Sequence, residues 1–252
     1  MKSSEQVIAD SLRIKIIYDN NPFMTGFKPA WGFSCIIKGA DKTLLFDTGG
    51  DSDIFMSNLT RMNIRPEDIE MIMISHEHWD HAGGLGAFLK VDSKAEVHIL
   101  NRFPDEVKGI INRYHAQMVE HESPVNIHGP FFTIGEMATN RQGLYEQALI
   151  ISTDRGLLII TGCAHPGIVK IVEKTEQLFN QKILFVLGGF HLAQSSEAEI
   201  EAIIEILQNK NIDFIAPCHC TGETARQMFE ESFKDKFVDI GAGKIISVKD
   251  LK

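Results

Sequence analysis

Met71-Ile72-Met73-Ile74-Ser75-His76-Glu77-His78-Trp79-Asp80-His81-Ala82-Gly83-Gly84 joins a wholly apolar run to a loop dense in metal-ligand side chains. The apolar run predicts a buried strand. His76 and His78 lie two apart at its end, so while the backbone stays extended their imidazoles project to the same side and one metal ion can take both. Asp80 and His81 follow where Ala82-Gly83-Gly84-Leu85-Gly86 turns the chain into a helix, within reach of a second ion. Mixed imidazole and carboxylate donors suit Zn, Fe or Mn better than Ca, which prefers oxygen. A loop of merely solvated polar residues is the plainer reading, but the density of ligand types directly after an apolar strand argues against it. The helical His-Glu-x-x-His zinc motif fails here because position 80 is Asp80.

Working outward, short apolar runs alternate with amphipathic stretches, the pattern of an α/β chain. Leu12 to Tyr18, Phe33 to Lys38 and Thr43 to Asp47 read as strands, with a turn at Gly39-Ala40-Asp41-Lys42. Asp53 to Met62 reads as a helix with Ile54, Phe55, Asn58, Leu59 and Met62 on one face. The second half repeats this grammar. Asp154-Arg155-Gly156 turns into Leu157-Leu158-Ile159-Ile160-Thr161-Gly162, much as Asp41-Lys42 turns into Leu44-Leu45-Phe46-Asp47-Thr48-Gly49. A helix over Gly167 to Phe179, a strand over Ile183 to Leu187, and helices over Glu197 to Gln208 and Glu223 to Phe233 follow. The repetition predicts a weak internal duplication, two α/β halves packed sheet against sheet with helices outside. Residues 101–143 are less regular and are expected to form a lid or insertion. One domain is expected over residues 1–252, because no linker separates the halves.

Three further histidines end apolar runs: His165 in Thr161-Gly162-Cys163-Ala164-His165, His191 in Gly188-Gly189-Phe190-His191, and His219 in Pro217-Cys218-His219-Cys220. In α/β folds ligands collect at the carboxyl ends of strands. Each alone is as readily a structural histidine, but all three being so beside the first motif is improbable. His98, His115, His121 and His128 lack such framing and are expected at the surface or on the lid. Cys163, Cys218 and Cys220 lack the Cys-x₂-Cys spacing of a closed structural zinc site. They read as buried neutral thiols, with a metal-adjacent, oxidation-sensitive thiol as the alternative. Trp79 is expected to pack rather than stack.

His-x-His-x-Asp-His after a strand, preceded by Asp47-Thr48-Gly49, resembles the metallo-β-lactamase superfamily, and with it an αββα sandwich of two facing mixed sheets with outer helices. The segments around Cys163, His191 and His219 resemble more narrowly the branch named for dihydropterin ribofuranosylaminobenzene-phosphate synthase. The likeness runs from about Ile14 to about Gly222. It implies His76, His78 and His165 as ligands of one metal, and Asp80, His81 and His219 as ligands of another. It makes Asp47 a support of the histidine loop. Many superfamily hydrolases bridge the metals with an Asp after the strand-ending glycine, whereas here Cys163 follows Gly162. His191 stands as an extra ligand or as a hydrogen-bond donor to substrate.

The resemblance implies a binuclear centre of two divalent transition-metal ions, zinc first and iron or manganese as alternatives. Two such ions about 3.5–4 Å apart lower the pKa of a water between them and orient substrate. The expected function is a metal-dependent hydrolase acting on a small anionic, phosphoester, pterin- or nucleotide-like molecule, a substrate class the resemblance supplies. Asp80 and His191 are the candidate catalytic groups, Asp80 orienting the nucleophile and His191 polarising the scissile group. Glu77 should point away from its histidine neighbours and is not assigned as base. Bond-forming synthase chemistry and di-iron redox chemistry are the alternatives. The redox relatives commonly carry Glu where His78 stands, and no flavin domain follows. A non-enzymatic sensor predicts a damaged ligand set, and this set is complete.

Composition is ordinary for a soluble globular protein: 252 residues, 44% hydrophobic and 23% charged, are enough for a sizeable core. A net charge of −9 argues against a nucleic-acid partner. Met1-Lys2-Ser3-Ser4-Glu5-Gln6 opens without a signal-peptide apolar run, and no stretch reaches the roughly 18 apolar residues of a membrane span. Four scattered cysteines do not make a disulfide framework. Together these predict a cytoplasmic protein with reduced thiols and no membrane partner.

Overall fold

The computed structural model describes residues 6–252, and the opening residues 1–5 lie outside the described part. β1 (Arg13–Tyr18), β2 (Ser34–Lys38) and β3 (Leu44–Phe46) form an antiparallel series. The chain crosses through α1 (Ser52–Arg61) to β4 (Met71–Met73), then through α2 (Trp79–Ala82) and α3 (Leu85–Val91) to β5 (Glu96–Leu100), with β4 parallel to β3 and β5 parallel to β4. After α4 (Asp105–Arg113), β6 (Met118–His121) adds a parallel edge strand. β7 (Val125–His128) and β8 (Phe131–Thr133) open the second sheet, followed by a small ribbon of β9 (Met137–Ala138) and β10 (Tyr145–Glu146). The hairpin β11 (Leu149–Thr153) and β12 (Gly156–Thr161) comes next. α5 (Ile168–Leu178) and α6 (Glu197–Asn209) are the crossovers to the parallel strands β13 (Ile183–Gly189) and β14 (Phe214–Cys218). After α7 (Glu223–Phe233), β15 (Ile245–Ser247) returns to pair with β1.

The result is two mixed sheets, ordered β15-β1-β2-β3-β4-β5-β6 and β14-β13-β12-β11-β8-β7. Their central strands β12 and β13 are buried throughout and read as apolar runs because both faces are covered. In β12, Leu158 and Ile160 join the core between the sheets, while Leu157 and Ile159 face α5 and α6 in the outer core. In β4, Met71 and Met73 point inward and Ile72 lies under α1 and α3. This is the expected αββα layering.

The predicted duplication has a topological counterpart. Each half is an antiparallel hairpin, β2-β3 or β11-β12, followed by two helical crossovers to parallel strands. Two expectations need correction, one for the unframed histidines and one for residues 101–143. This stretch is not an insertion: α4 and β6 complete the first sheet, and β7 and β8 complete the second. The strands are three or four residues long, with polar residues in β6 and β7, so they carry little periodic signal. His98 and His121 are not surface residues either. They are 3% and 8% exposed, stack with ring centroids 5.2 Å apart, and share a 2.9 Å Nδ1···Nε2 hydrogen bond. Among the described residues no helix is long and apolar enough to cross a membrane.

Candidate metal centre

The loop after β4 is organised by one buried carboxylate. Asp47, at the end of β3, accepts at Oδ1 from the Ser75 amide (2.7 Å) and at Oδ2 from the Ser75 hydroxyl (2.7 Å) and His81 Nδ1 (2.7 Å). With its proton given to Asp47, the Ser75 hydroxyl accepts from His76 Nδ1 at 2.9 Å, leaving His76 Nε2 as a bare lone pair. His76 Nε2 faces His78 Nδ1 at 3.1 Å. The support role expected of Asp47 is thus visible atom by atom. Gly162 of the other half closes over this loop, and a Cβ there would collide with the Ser75 hydroxyl.

The second half contributes its histidines one strand end at a time. Glu146 accepts from the amides of Cys163 (2.9 Å), Ala164 (2.7 Å) and His165 (2.8 Å), and from His165 Nδ1 (2.8 Å). His219 Nδ1 donates to Asn20 Oδ1 at 2.8 Å, and its amide donates to Asp19 at 3.1 Å. Eight non-glycine residues among those described have positive φ. Four of them, Asp47, Ala164, His191 and His219, sit at these strand ends. Such left-handed turns cost energy and cluster where side chains must be aimed.

In His76, His81, His165 and His219 one ring nitrogen is therefore tied and the other points inward. The inward atoms form two groups. Asp80, His81, Cys163 and His219 bring their donor atoms within 4.8 Å of one another, and so do His76, Cys163 and His165. His81 Nε2 lies 3.2 Å from His219 Nε2 and 3.2 Å from Cys163 Sγ; Asp80 Oδ2 lies 3.4 Å from His219 Nε2 and 3.7 Å from His81 Nε2. Donors held at about 2.0–2.3 Å in a tetrahedral shell are spaced by comparable distances, so the residues fit a metal ion. The ring of His165 also lies 4.7 Å from that of His76 and 4.9 Å from that of His78.

Burial and neighbouring charges set the protonation of these groups in the metal-free protein. Burial opposes ionisation of Asp80, but hydrogen bonding to His219 and the charges of His81 and His219 hold its carboxyl well below the usual range. Burial disfavours a charged His81, yet Asp47 pushes it up to about 9. Burial, and then the neighbouring His81, lowers His76 well below the usual imidazole value. Glu146 is fully buried, which favours its neutral form, but His76, His165 and the amides keep it ionised.

Five of the six expected ligand residues, His76, Asp80, His81, His165 and His219, fall into these donor groups, while His78 lies outside them with its ring 4.6 Å from that of His76. His191 stands apart from them, exposed, its ring 4.4 Å from that of His165 and its nitrogen grouped with Cys163 and Cys220. All four cysteines are buried and free, and Cys163 belongs to every donor group. Trp79 lies with its ring against Gly50 while staying 64% exposed, so it packs on the surface of the loop and not in the core. Glu146, Asn20 and Asp19 were not legible as site residues. Glu77 is half-buried, and burial raises its carboxyl above the usual value.

Comparisons with known proteins follow the same line. The model of the metallo-β-lactamase superfamily matches residues 32–129. The chain is 30% identical to 7,8-dihydropterin-6-methyl-4-(β-D-ribofuranosyl)-aminobenzene-5′-phosphate synthase of Methanocaldococcus jannaschii, over 90% of this chain and 92% of that protein. An uncharacterised protein of the same organism is 29% identical over 93% and 100%. A solved metal-dependent hydrolase of the β-lactamase superfamily superposes with a TM-score of 0.79 at 30% identity, over 93% of this chain and 98% of that one.

Proposed function

The chain belongs to the metallo-β-lactamase superfamily, in the branch of the dihydropterin ribofuranosylaminobenzene-phosphate synthase, and from that premise we propose that it is a metal-dependent hydrolase acting on a small organic anion, a phosphoester of pterin or nucleotide type. The observation that carries this reading is the convergence of donor atoms whose opposite ring nitrogens are already tied to Ser75, Asp47, Glu146 and Asn20. In this reading His76, His78 and His165 hold one divalent transition-metal ion and Asp80, His81 and His219 hold the other. Cys163, shared by both donor groups, would be a further donor available to either ion. Imidazole and thiol donors favour zinc, with iron or manganese as alternatives.

Such a pair of ions, when bound, supplies activated water at neutral pH and charge stabilisation for the leaving group. The protein's own contribution is orientation and charge. Asp80, held ionised and 6% exposed, accepts a hydrogen bond from the nucleophile and fixes its direction. His191 is exposed at the rim and hydrogen-bonded to Cys220, which raises its pKa and favours the cation as donor to developing negative charge. The acidic balance of the chain speaks against a polyanionic partner.

A second reading is favoured by one specific finding, the 30% identity with a named synthase over nearly the whole of both chains. One experiment separates the two. Protein purified without chelators is analysed for metals, then screened against phosphodiesters, phosphomonoesters, lactones and thioesters with products identified by mass spectrometry. About two ions per chain with incorporation of water into a product supports the hydrolase. Two ions with joined products supports the synthase, and a metal-free protein overturns both.

A further inference from the structure

Three cavities meet at His191, and two of them differ sharply in chemistry. One, of about 330 Å³, is lined by the polar side chains of His78, Thr139, Asn140, Arg141, His165 and His191 together with Leu144. The other, of about 560 Å³, runs between α5 and α6 and is walled mainly by Pro166, Ile168, Val169, Leu192, Ile203 and Ile206, with Lys170 and Glu173 also in its lining. They share Asn140, His165 and His191, so both open onto the metal centre. Their combined size is that of a pocket for one organic molecule, with few polar groups and a larger apolar wall.

The polar cavity carries an uncommitted cation. Of the eight arginines, Arg65, Arg102, Arg155 and Arg226 pair with a carboxylate, whereas Arg13, Arg61, Arg113 and Arg141 do not among the described residues, and of these four only Arg141 lines this cavity. Arg141 has no carboxylate within ion-pair distance among the described residues, although the chain carries nine net negative charges. It is exposed, and its charge is nonetheless felt by His78 and by Glu77. The turn that presents it is fixed: Thr139 Oγ1 bonds both the Arg141 amide and its carbonyl at 3.1 Å, and the Leu144 amide donates to the Arg141 carbonyl at 3.2 Å. That turn joins β9 to β10, whose Glu146 orients His165. An arginine so placed presents a planar fork to an oxyanion beside the metal ligands.

The apolar cavity is equally unexplained by metal binding. Ile206 is 41% exposed on α6, whereas the inward residues Ile200, Ile204 and Leu207 fill the core. With Ile203, Ile168 and Leu192 it makes an open apolar wall leading away from His165 and His191. We propose that the substrate is a phosphorylated compound with an apolar body, its anionic head held by Arg141 beside His78 and its body lying in the groove between α5 and α6. This rests on the metal-centre reading above and adds the substrate's second half.

The test uses the metal-loaded protein and calorimetric titration with octylphosphonate and methylphosphonate, which share a head and differ in body. Octylphosphonate should bind at least about tenfold tighter, since each buried methylene contributes about 0.8 kcal/mol. Arg141→Met should weaken both probes by about tenfold or more, Arg141→Lys by less, and neither should change metal content. Ile206→Glu should abolish the octyl advantage and leave methylphosphonate unaffected. Equal affinity of the two probes for the parent protein, an unchanged octyl advantage in Ile206→Glu, or undiminished binding in Arg141→Met would overturn the proposal while leaving the metal centre intact. Absence of bound metal in the parent protein is the separate result that removes the reading beneath it.

Discussion

In the N-terminal half, the hairpin β2-β3 is followed by β4 and β5; in the C-terminal half, the hairpin β11-β12 is followed by β13 and β14, with the same pattern of antiparallel and parallel pairing. The two halves load this common skeleton differently. The first puts His76, His78, Asp80 and His81 into one loop and steadies it through the single carboxylate of Asp47. The second puts His165, His191 and His219 at three successive strand ends. Glu146 holds the first of these and Asn20 the third, while His191 leans on Cys220. A site on the first half therefore fails as a unit, whereas on the second half it fails one residue at a time.

The largest effect should come from the shared support. Asp47→Ala removes the partner of a buried imidazole and strands the Ser75 amide and hydroxyl, with a cost of about 3–5 kcal/mol in denaturant unfolding. Both ions should be lost, because His76 and His81 lose their orientation together. A variant that keeps both metals and its stability would show that the first half is not organised by one carboxylate.

On the second half, His191→Ala should spare about two metals and cost on the order of 10²–10³ in turnover on whichever substrate the screen reveals. Loss of an ion by that variant would make His191 a ligand and break the proposed division of labour. Glu146→Gln should act more narrowly still. An amide keeps the acceptor for the Cys163 and Ala164 amides, but its nitrogen cannot accept from His165, so one ion should bind about 10–100-fold more weakly while the other is retained. Equal weakening of both ions, read by metal titration, would show that Glu146 serves the whole site.

The difference between the halves also explains what could be read from the sequence. The first half's ligands are contiguous, and their two-residue spacing at a strand end is a local signal. Strands such as Ile183–Gly189 were legible because burial on both faces makes a continuous apolar run. Glu146 lies 19 residues from His165, and Asn20 lies 199 residues from His219, so nothing local links either acceptor to its histidine. Cys163 was visible, but only the assembled fold shows its sulfur 3.2 Å from His81 Nε2. β6 to β8 were missed because three or four residues are too few to show alternation, and that omission hid the partner that makes His98 a buried residue.

His98 provides the last and smallest test. It pairs with Met73 on β4, and the matching position on β14, paired with Leu187 on β13, is Ala216. Where the second half has a small apolar residue, the first has an imidazole whose Nε2 has no hydrogen-bond partner among the described residues, with a Glu96 carboxylate oxygen 3.8 Å away. Burial, followed by the neighbouring His121 and Lys42, pushes its pKa down to about 3. Unfolded, the same ring protonates below about 6.5. Between those values the unfolded chain binds the extra proton, so stability falls as the pH falls through that window, by about 1 kcal/mol at pH 5.5 relative to pH 7. His98→Asn removes the titration while leaving an amide to reach His121, and any packing cost it adds does not vary with pH. The stability difference between parent and variant, followed by denaturant unfolding, should therefore shift by about 1 kcal/mol in the variant's favour on acidification from pH 7 to 5.5. Parallel curves would mean that His98 keeps an ordinary pKa in the folded protein, and that the first half tolerates its imidazole for reasons other than a neutral, buried ring.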